Sequence, residues 1–567
     1  MLDAGPWMWA LFFIEFASYG QMLPFQILRV SALKAEKNSE QLPSYRRKCR
    51  LVGGQVPLVD VYIPCCGEPL EIIVGTVRGA CLIDFPQHRF AVHVLDDGNS
   101  LDLRKTVEEL RIQWPNLHYH YRGLHDSGFD KAGNLNHLLL NEPRSTPVPE
   151  FITVLDADFI PAPDLLRAGL AHLVTDPTLA IVGTLQMYYN LPPGDPLYQG
   201  LEWYSAVLTP QLNALGAAVA SGSGCIIRRD PLVALGGFPT LTSGEDMILS
   251  YALGASGHRI IQLTEPLQYG RVPESMQGHM FQRKRWSVSL AQRIRAWKDA
   301  PRNPIPASRR TSVMLEGVVH ILTLFFRTVE FVVLPLLLLT GQPLIPAPHL
   351  GMLKVQLAMA TLYLLLLYAT EYVQAFRADF RVSIFPHLEE AWMAPGQLLA
   401  IIQKCFSQSN SSQSQVTGST SHAWNRDIPD RRASSEIAIN AISLLATLAG
   451  AISHIPTILG QSYSSSDGKG VVTLLSTIAY PPMLHLVYTC STTHWIPLRA
   501  YLYPPRYPAL LTALGPHPRD PGALFPTKAV RERLVSARRP ALGHRRHFLA
   551  IGGLFGCVCA VIFAFTP

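Results

Sequence analysis

The stretch Phe151-Ile152-Thr153-Val154-Leu155-Asp156-Ala157-Asp158 runs from β-favouring residues into a pair of carboxylates. Its first half reads as a buried strand and its end as the point where the chain leaves the sheet. Strict alternation would send Asp156 and Asp158 to opposite faces, so the two meet only if the chain is already turning. The same pattern repeats on either side. LVDVYI (58–63), FAVHVL (90–95), LHYHYR (117–122), AIVGTLQ (180–186) and RIIQL (259–263) are further strand candidates, separated by helical patterns near 69–80, 102–113, 131–140 and 163–174. This alternation predicts right-handed βαβ crossovers and a mostly parallel sheet covered on both faces, with ligands at the carboxyl ends of the strands.

The rest of the 567-residue chain is of another kind. Only 16% of residues are charged and the mean hydropathy is positive. Apolar runs near 7–28, 312–340, 352–374, 435–459, 470–492 and 547–566 approach or exceed the ~20 residues a helix needs to cross a bilayer. They predict six spans. Arg46, Arg47, Lys48 and Arg50 follow the first, Arg431 and Arg432 precede the fourth, and 493–546 is rich in arginine; an outside N-terminus puts all of these basic segments in the cytosol. The expected organisation is an anchor at 1–30, a cytosolic domain at 51–305, two spans in 306–375, a cytosolic interfacial segment at 376–433, two spans in 434–492, a basic cytosolic loop at 493–546 and a last span at 547–567. The first run lacks a basic leader and a small-residue cleavage site, so it reads as a retained anchor. The net charge of +7 gathers beside the spans and forms no basic stripe, which argues against nucleic acid as a partner. Nine scattered cysteines without a CxxC pair indicate neither a disulfide framework nor a zinc site. Glu316, His320, Arg327 and Glu330 lie within the second span and are expected to face protein or water. HLEEAWMAPGQLLAIIQKCF (387–406) is amphipathic enough to lie in the membrane interface, ahead of a Ser/Gln-rich loop.

Several short motifs carry chemistry. Asp96-Asp97-Gly98 closes a strand candidate, where the glycine permits a sharp turn and lets both carboxylates project. In Asp156-Ala157-Asp158 one carboxylate could take a hydrated Mg²⁺ or Mn²⁺ ion while the other contacts a nucleotide. Glu245-Asp246 opens a helical stretch, as structural N-terminal acids or as a general base. Lys131, in KAGNLN, suits a phosphate, and Ser221-Gly222-Ser223-Gly224 would admit a sugar close to the backbone. Gln282-Arg283-Lys284-Arg285-Trp286 stands where the cytosolic domain meets the second span. Taken alone it fits an interfacial anchor as well as a site for an anionic, sugar-bearing ligand, since guanidinium groups fork onto phosphate and indoles sit at interfaces.

The order DDG, KAGNLN, DAD, SGSG, ED, QRKRW, followed by a block of spans, resembles the processive family-2 glycosyltransferases, the cellulose, hyaluronan and chitin synthases, and within them the cellulose-synthase-like branch. The resemblance covers about 55–420. It implies a GT-A fold and inverting transfer from a UDP-sugar, UDP-glucose by preference, to a glycan or lipid-like acceptor beside membrane lipid. It also implies roles. Asp96 and Asp97 belong to the uridine site, Lys131 to the donor phosphates, Asp156 to UDP, Asp158 to the Mg²⁺ or Mn²⁺ ion and Asp246 to the base. Glu245, Gln282, Arg285 and Trp286 fall to the pyrophosphate and acceptor. Three features depart from the family pattern: Cys65-Cys66-Gly67-Glu68 lacks an aromatic residue, SGSG replaces the usual acceptor-side loop, and only Val416-Thr417 survives of the gating loop. The altered acceptor and gating residues motivate one alternative, single addition to a lipid or hydrophobic metabolite; a second is a transporter with an inactive transferase-like domain, against which the intact carboxylates count.

Overall fold

The computed structural model describes residues 44–123, 130–141, 147–297, 305, 307–340, 350–378, 389–406, 431–464, 481–517 and 519–535, with 27, 30, 31 and 34. The expected spans at 7–28 and 547–566, the Ser/Gln-rich loop after 406 and Val416-Thr417 fall outside these residues, apart from 27.

The strands in chain order are β1 Val59–Cys65, β2 Phe90–Asp96, β3 Leu117–His120, β4 Phe151–Val154, β5 Ile160–Pro161, β6 Leu179–Tyr188, β7 Cys225–Arg228 and β8 Arg259–Gly270. Among the described residues they form one sheet in the order β3-β2-β1-β4-β7-β6-β8-β5. The first four run parallel, as the sequence predicts, through α1 Leu70–Cys81, α2 Leu101–Arg111 and α3 Lys131–Asn136. Beyond β4 the expectation of a mostly parallel sheet needs correcting. β7 pairs antiparallel with both β4 and β6, and β5 pairs antiparallel with β8. The sheet is mixed because β7, a four-residue strand leaving the SGSG loop, runs opposite to both of its neighbours, whereas β6 and β8 again pair in parallel.

Alternation then builds two cores. Val61, Ile63, Val92, Val94 and Leu117 face one layer, which includes α1, α2 and α4 (Leu165–Thr175). Tyr62, Leu95, Ile152 and Val154 face the other, with α3. Because both faces are covered, β4 is buried along its whole length instead of alternating.

Helices α5 Thr209–Ala214, α6 Arg229–Ala234, α7 Glu245–Ala255 and α8 Met276–Gln292 complete the domain. The long helices that follow are α9 Ala307–Leu339, α10 Leu350–Arg377, α12 Arg431–Ser464 and α13 Pro481–Leu502, with the shorter α11 Ala394–Phe406 between α10 and α12. Two helical segments, Arg310–Leu339 and Ser435–Ser453, are long and apolar enough to cross a membrane among the described residues. Of the span expected at 470–492, residues 481–492 lie in α13, which runs on to Leu502, and 470–480 fall outside the described residues.

The charges of the second span find protein partners. Glu316 takes hydrogen bonds from Tyr251 Oη (2.7 Å) and from Arg293, and His320 Nε2 lies 2.7 Å from Ser287 Oγ. Arg327 Nη1 and Glu330 Oε2 are 3.3 Å apart. The first turns of α9 therefore pack through polar contacts on α7 and on the C-terminal part of α8. The segment 493–546, expected to be a loop, is largely ordered where described. After α13, β9 Leu514–His517 and β10 Asp520–Pro526 form a hairpin, followed by the helix Lys528–Val535. Ala513, Leu514, Ala523, Phe525 and Val530 are buried in the first core, so this C-terminal stretch is part of the sheet domain.

Candidate active site

The carboxyl ends of β1, β2 and β4 converge, and each motif arrives from a different element. β4 stops at Val154, and the Phe159 N–H donates to Asp156 O (3.0 Å), so the chain is turning through Asp156-Ala157-Asp158. This resolves the alternation problem. Both aspartates are half-buried, with buried Ala157 between them.

The turn rests on the SGSG loop, where Asp156 N–H donates to Ser223 Oγ (3.1 Å) and Gly224 N–H to Val154 O (2.8 Å). Gly222 and Gly224 have φ of +79° and +63°, which excludes ordinary side chains on conformational grounds. A Cβ on Gly222 would also stand 3.1 Å from Asp246 Oδ2.

Lys131 opens α3, whose N-cap Asp130 accepts from Gly133 N–H (2.6 Å). Its Nζ donates to Asp156 Oδ1 and to Gly222 O, each at 2.7 Å, and lies 3.1 Å from Glu245 Oε1. One ammonium thus joins the turn after β4, the SGSG loop and the start of α7. Burial works to lower its pKa, but Asp156 and Glu245 more than offset this and hold it above the usual lysine range.

Asp246, next on α7, accepts from Met247 N–H (2.8 Å). Burial, reinforced by the Glu245 carboxylate and opposed by Lys131, pushes it up to about 7. Asp158 is likewise pushed up to about 7, by burial and then by Asp156 and Glu68. On α8, burial pulls the Arg285 pKa down while Asp156, Glu245, Asp158 and Asp246 act against it. The site therefore sets four carboxylates against two cations, and the electrostatic balance calls for more positive charge.

The other residues of the 282–286 motif divide. Gln282, Arg285 and Trp286 share a helical face by spacing (i, i+3, i+4). Lys284 Nζ instead pairs with Glu436 Oε1 on α12 (2.6 Å), and Arg283 lies over the Trp286 ring, 4.4 Å from its centroid. The broad cationic surface suggested by the sequence is narrower in the structure, because two of its cations are turned toward protein carboxylates.

The DDG motif also differs from its simple reading. Asp96 accepts from Gly98 N–H, Ser100 N–H and Tyr119 Oη, each at 2.8 Å, and so shapes the turn. The residue with positive φ is Asn99 (+52°), and the need for glycine at 98 comes from Gly67 N, 3.1 Å from where a Cβ would lie. Asp97 is held bidentately by Arg122 (Nε–Oδ1 2.7 Å, Nη2–Oδ2 2.6 Å), and burial raises its pKa while Arg122 opposes.

Arg122, Tyr119 and Glu68 are site residues that the motifs did not single out. Arg122 ends the strand candidate LHYHYR, and only its charge at a strand end hinted at a role. Glu68 Oε2 accepts from Cys66 N–H (2.6 Å), and burial raises its pKa.

This mixed sheet with carboxylates at its parallel strand ends is a fold of the GT-A glycosyltransferase type. Two family models match, "Glycosyl transferase family 2" over residues 60–236 and "Glycosyl transferase family group 2" over 151–372. Together the two models span residues 60–372, and over this stretch the chain is similar to glycosyl transferase family 2 and, within it, to the cellulose-synthase-like branch. It is 31% identical over 249 residues to the UDP-forming cellulose synthase catalytic subunit of Pseudomonas fluorescens, covering 42% of this chain and 32% of that one. It is 31% identical over 252 residues to cellulose synthase 2 of Novacetimonas hansenii, covering 42% and 15%. The match thus spans about a third or less of these relatives. The mannosyltransferase PcManGT of Pyrobaculum calidifontis aligns over 71% of this chain and 99% of its own, with 18% identity and a TM-score of 0.46.

Proposed function

We propose that the protein transfers a hexose, glucose by preference, from a UDP-sugar with inversion, extending a β-linked glycan that passes outward through its helices. One observation carries this reading: Lys131, Asp156, Glu245, Asp246 and Arg285 come together at the strand ends, beside a tryptophan on the helix that leads to the first described membrane-type helix.

In this reading the acceptor hydroxyl attacks the anomeric carbon and Asp246 takes its proton. The bond from that carbon to the diphosphate oxygen breaks, and Arg285 meets the negative charge that develops on UDP. A carboxylate titrating near 7 is matched to proton removal at neutral pH. Trp286 offers its ring to the acceptor sugar, with Gln282 on the same face. Asp97 and the turn shaped by Asp96 lie at the uridine end.

The residues fit a divalent cation. Among the described residues no three His, Cys, Asp or Glu side chains form a metal cluster. Two half-buried carboxylates are nonetheless what Mg²⁺ or Mn²⁺ uses when the substrate's phosphates supply its other ligands. Asp158 would hold it, with Asp156 beside it, and the ion would neutralise diphosphate charge.

The test uses membranes containing the full chain, given labelled UDP-glucose with Mn²⁺. Label enters product with the native protein, and Asp246→Asn lowers the rate by at least about 100-fold. Equal rates would remove Asp246 from the role of base. The SGSG loop in place of the usual acceptor-side loop favours a second reading, single addition to a lipid-like acceptor. Product size decides, since an organic-soluble monoglycoside excludes polymerisation.

A further inference from the structure

The residues inside the Gln282–Trp286 motif that do not face the carboxylates form a support of their own. Arg283 is almost fully buried, 2% exposed, and stacks on the Trp286 indole with its Cζ 4.4 Å from the ring centroid. Its ion-pair partner among the described residues is Glu390, with Nε 2.9 Å from Oε1, although none of its nitrogens reaches hydrogen-bond geometry. Glu390 is 42% exposed and immediately precedes the turn Ala391–Met393 that leads into α11.

The neighbouring residue repeats the arrangement. Lys284 Nζ pairs with Glu436 Oε1 (2.6 Å), and Glu436 stands so close to Gly396 on α11 that a Cβ at 396 would collide with it. Asn440, one turn beyond Glu436, donates to Trp392 O (3.2 Å). Consecutive residues of the motif thus grip both the interfacial turn and α12, and one of them also covers a face of the tryptophan.

A guanidinium on one indole face leaves only the other for a sugar, and its position is set by whatever anchors the guanidinium. Without Glu390 the buried cation has no counter-charge among the described residues and will seek solvent, releasing the ring. We propose that Glu390 is a positioning residue: through Arg283 it fixes the plane of Trp286 and thereby couples the interfacial segment to acceptor placement. This rests on the reading that Trp286 contacts the acceptor sugar.

The experiment separates the two ideas by measuring glycan labelling and UDP-glucose hydrolysis in parallel, in membranes with Mn²⁺, for the native chain, Glu390→Gln, Arg283→Lys and Trp286→Ala. Hydrolysis needs the donor site but no acceptor sugar, so mere loss of fold lowers both rates and raises the donor KM. Glu390→Gln and Arg283→Lys are expected to lower the ratio of transfer to hydrolysis about five- to tenfold, with the donor KM within about twofold of native. Trp286→Ala is expected to lower the ratio at least as far. If Trp286→Ala leaves the ratio unchanged, its assignment to the acceptor fails. If Trp286→Ala lowers the ratio while both other variants keep it at the native value, or lower both rates together, the coupling through Glu390 is overturned and the acceptor assignment stands.

Discussion

Replacing Glu245 by Gln tests the electrostatics of the proposed base without touching the base. Asp246 is held at about 7 by burial first and by the adjacent Glu245 carboxylate second, with Lys131 opposing. The change removes that second cause. It also releases Lys131, whose Nζ lies 3.1 Å from Glu245 Oε1, to act more fully on Asp246. Both effects favour the carboxylate, so the Asp246 pKa falls. A unit charge about 6 Å away at an effective dielectric constant of ~20 contributes ~3 kcal/mol before salt screening. Since burial is the larger cause, a fall of roughly one pH unit, ~1.4 kcal/mol, is the working expectation.

The assay is kcat/KM for the donor between pH 5 and 9. A base is active when deprotonated, so the native profile rises with pH through about 7. In Glu245→Gln the rising limb moves to about 6, whatever happens to the plateau. A limb that stays in place, or moves to higher pH, refutes the account of why Asp246 titrates near neutrality. A native profile flat from pH 6 to 8 refutes its assignment as the base.

Other parts of the structure yield further expectations. Arg122→Met leaves the buried Asp97 carboxylate without its bidentate partner and should cost about 3–5 kcal/mol of stability, read as a lower Tm. Adding Asp97→Asn should restore part of that loss. Gly224→Ala puts a methyl group against Gln268 and Thr184 at a φ of +63°; it should destabilise the domain by about 1–3 kcal/mol by denaturant titration. Phe525→Ala should cost about 3–5 kcal/mol, because that ring is 5% exposed and meets Tyr269 edge to face at 5.6 Å. The loss should appear as earlier protease cleavage within 59–270, although the change lies more than 250 residues away from most of that domain.

Local pattern was enough to place the parallel half of the sheet and the polar motifs. β1 to β4 and their crossover helices follow from residue periodicity, and Asp97, Lys131, Asp156, Asp246 and Arg285 were legible because polar residues interrupt β- or helix-forming runs at their ends. Motif order then carried the family assignment.

What the sequence could not decide depends on contacts far apart in the chain. The direction of β7 is set by the SGSG loop returning against β4, a pairing of Phe151 with Arg228 that no local period encodes. The hairpin Leu514–Pro526 looked like part of a basic loop because its buried residues are few and spaced among prolines and Arg519, and only the core it joins makes it a strand pair. Arginine likewise reads the same in sequence whether it faces a substrate or a protein carboxylate. Distance alone separates Arg285, set among four aspartates and glutamates, from Arg283, held 2.9 Å from Glu390. The residue types in the site follow from the sequence, while their division into chemistry and support belongs to the tertiary structure, because charge acts through space with no regard for position along the chain.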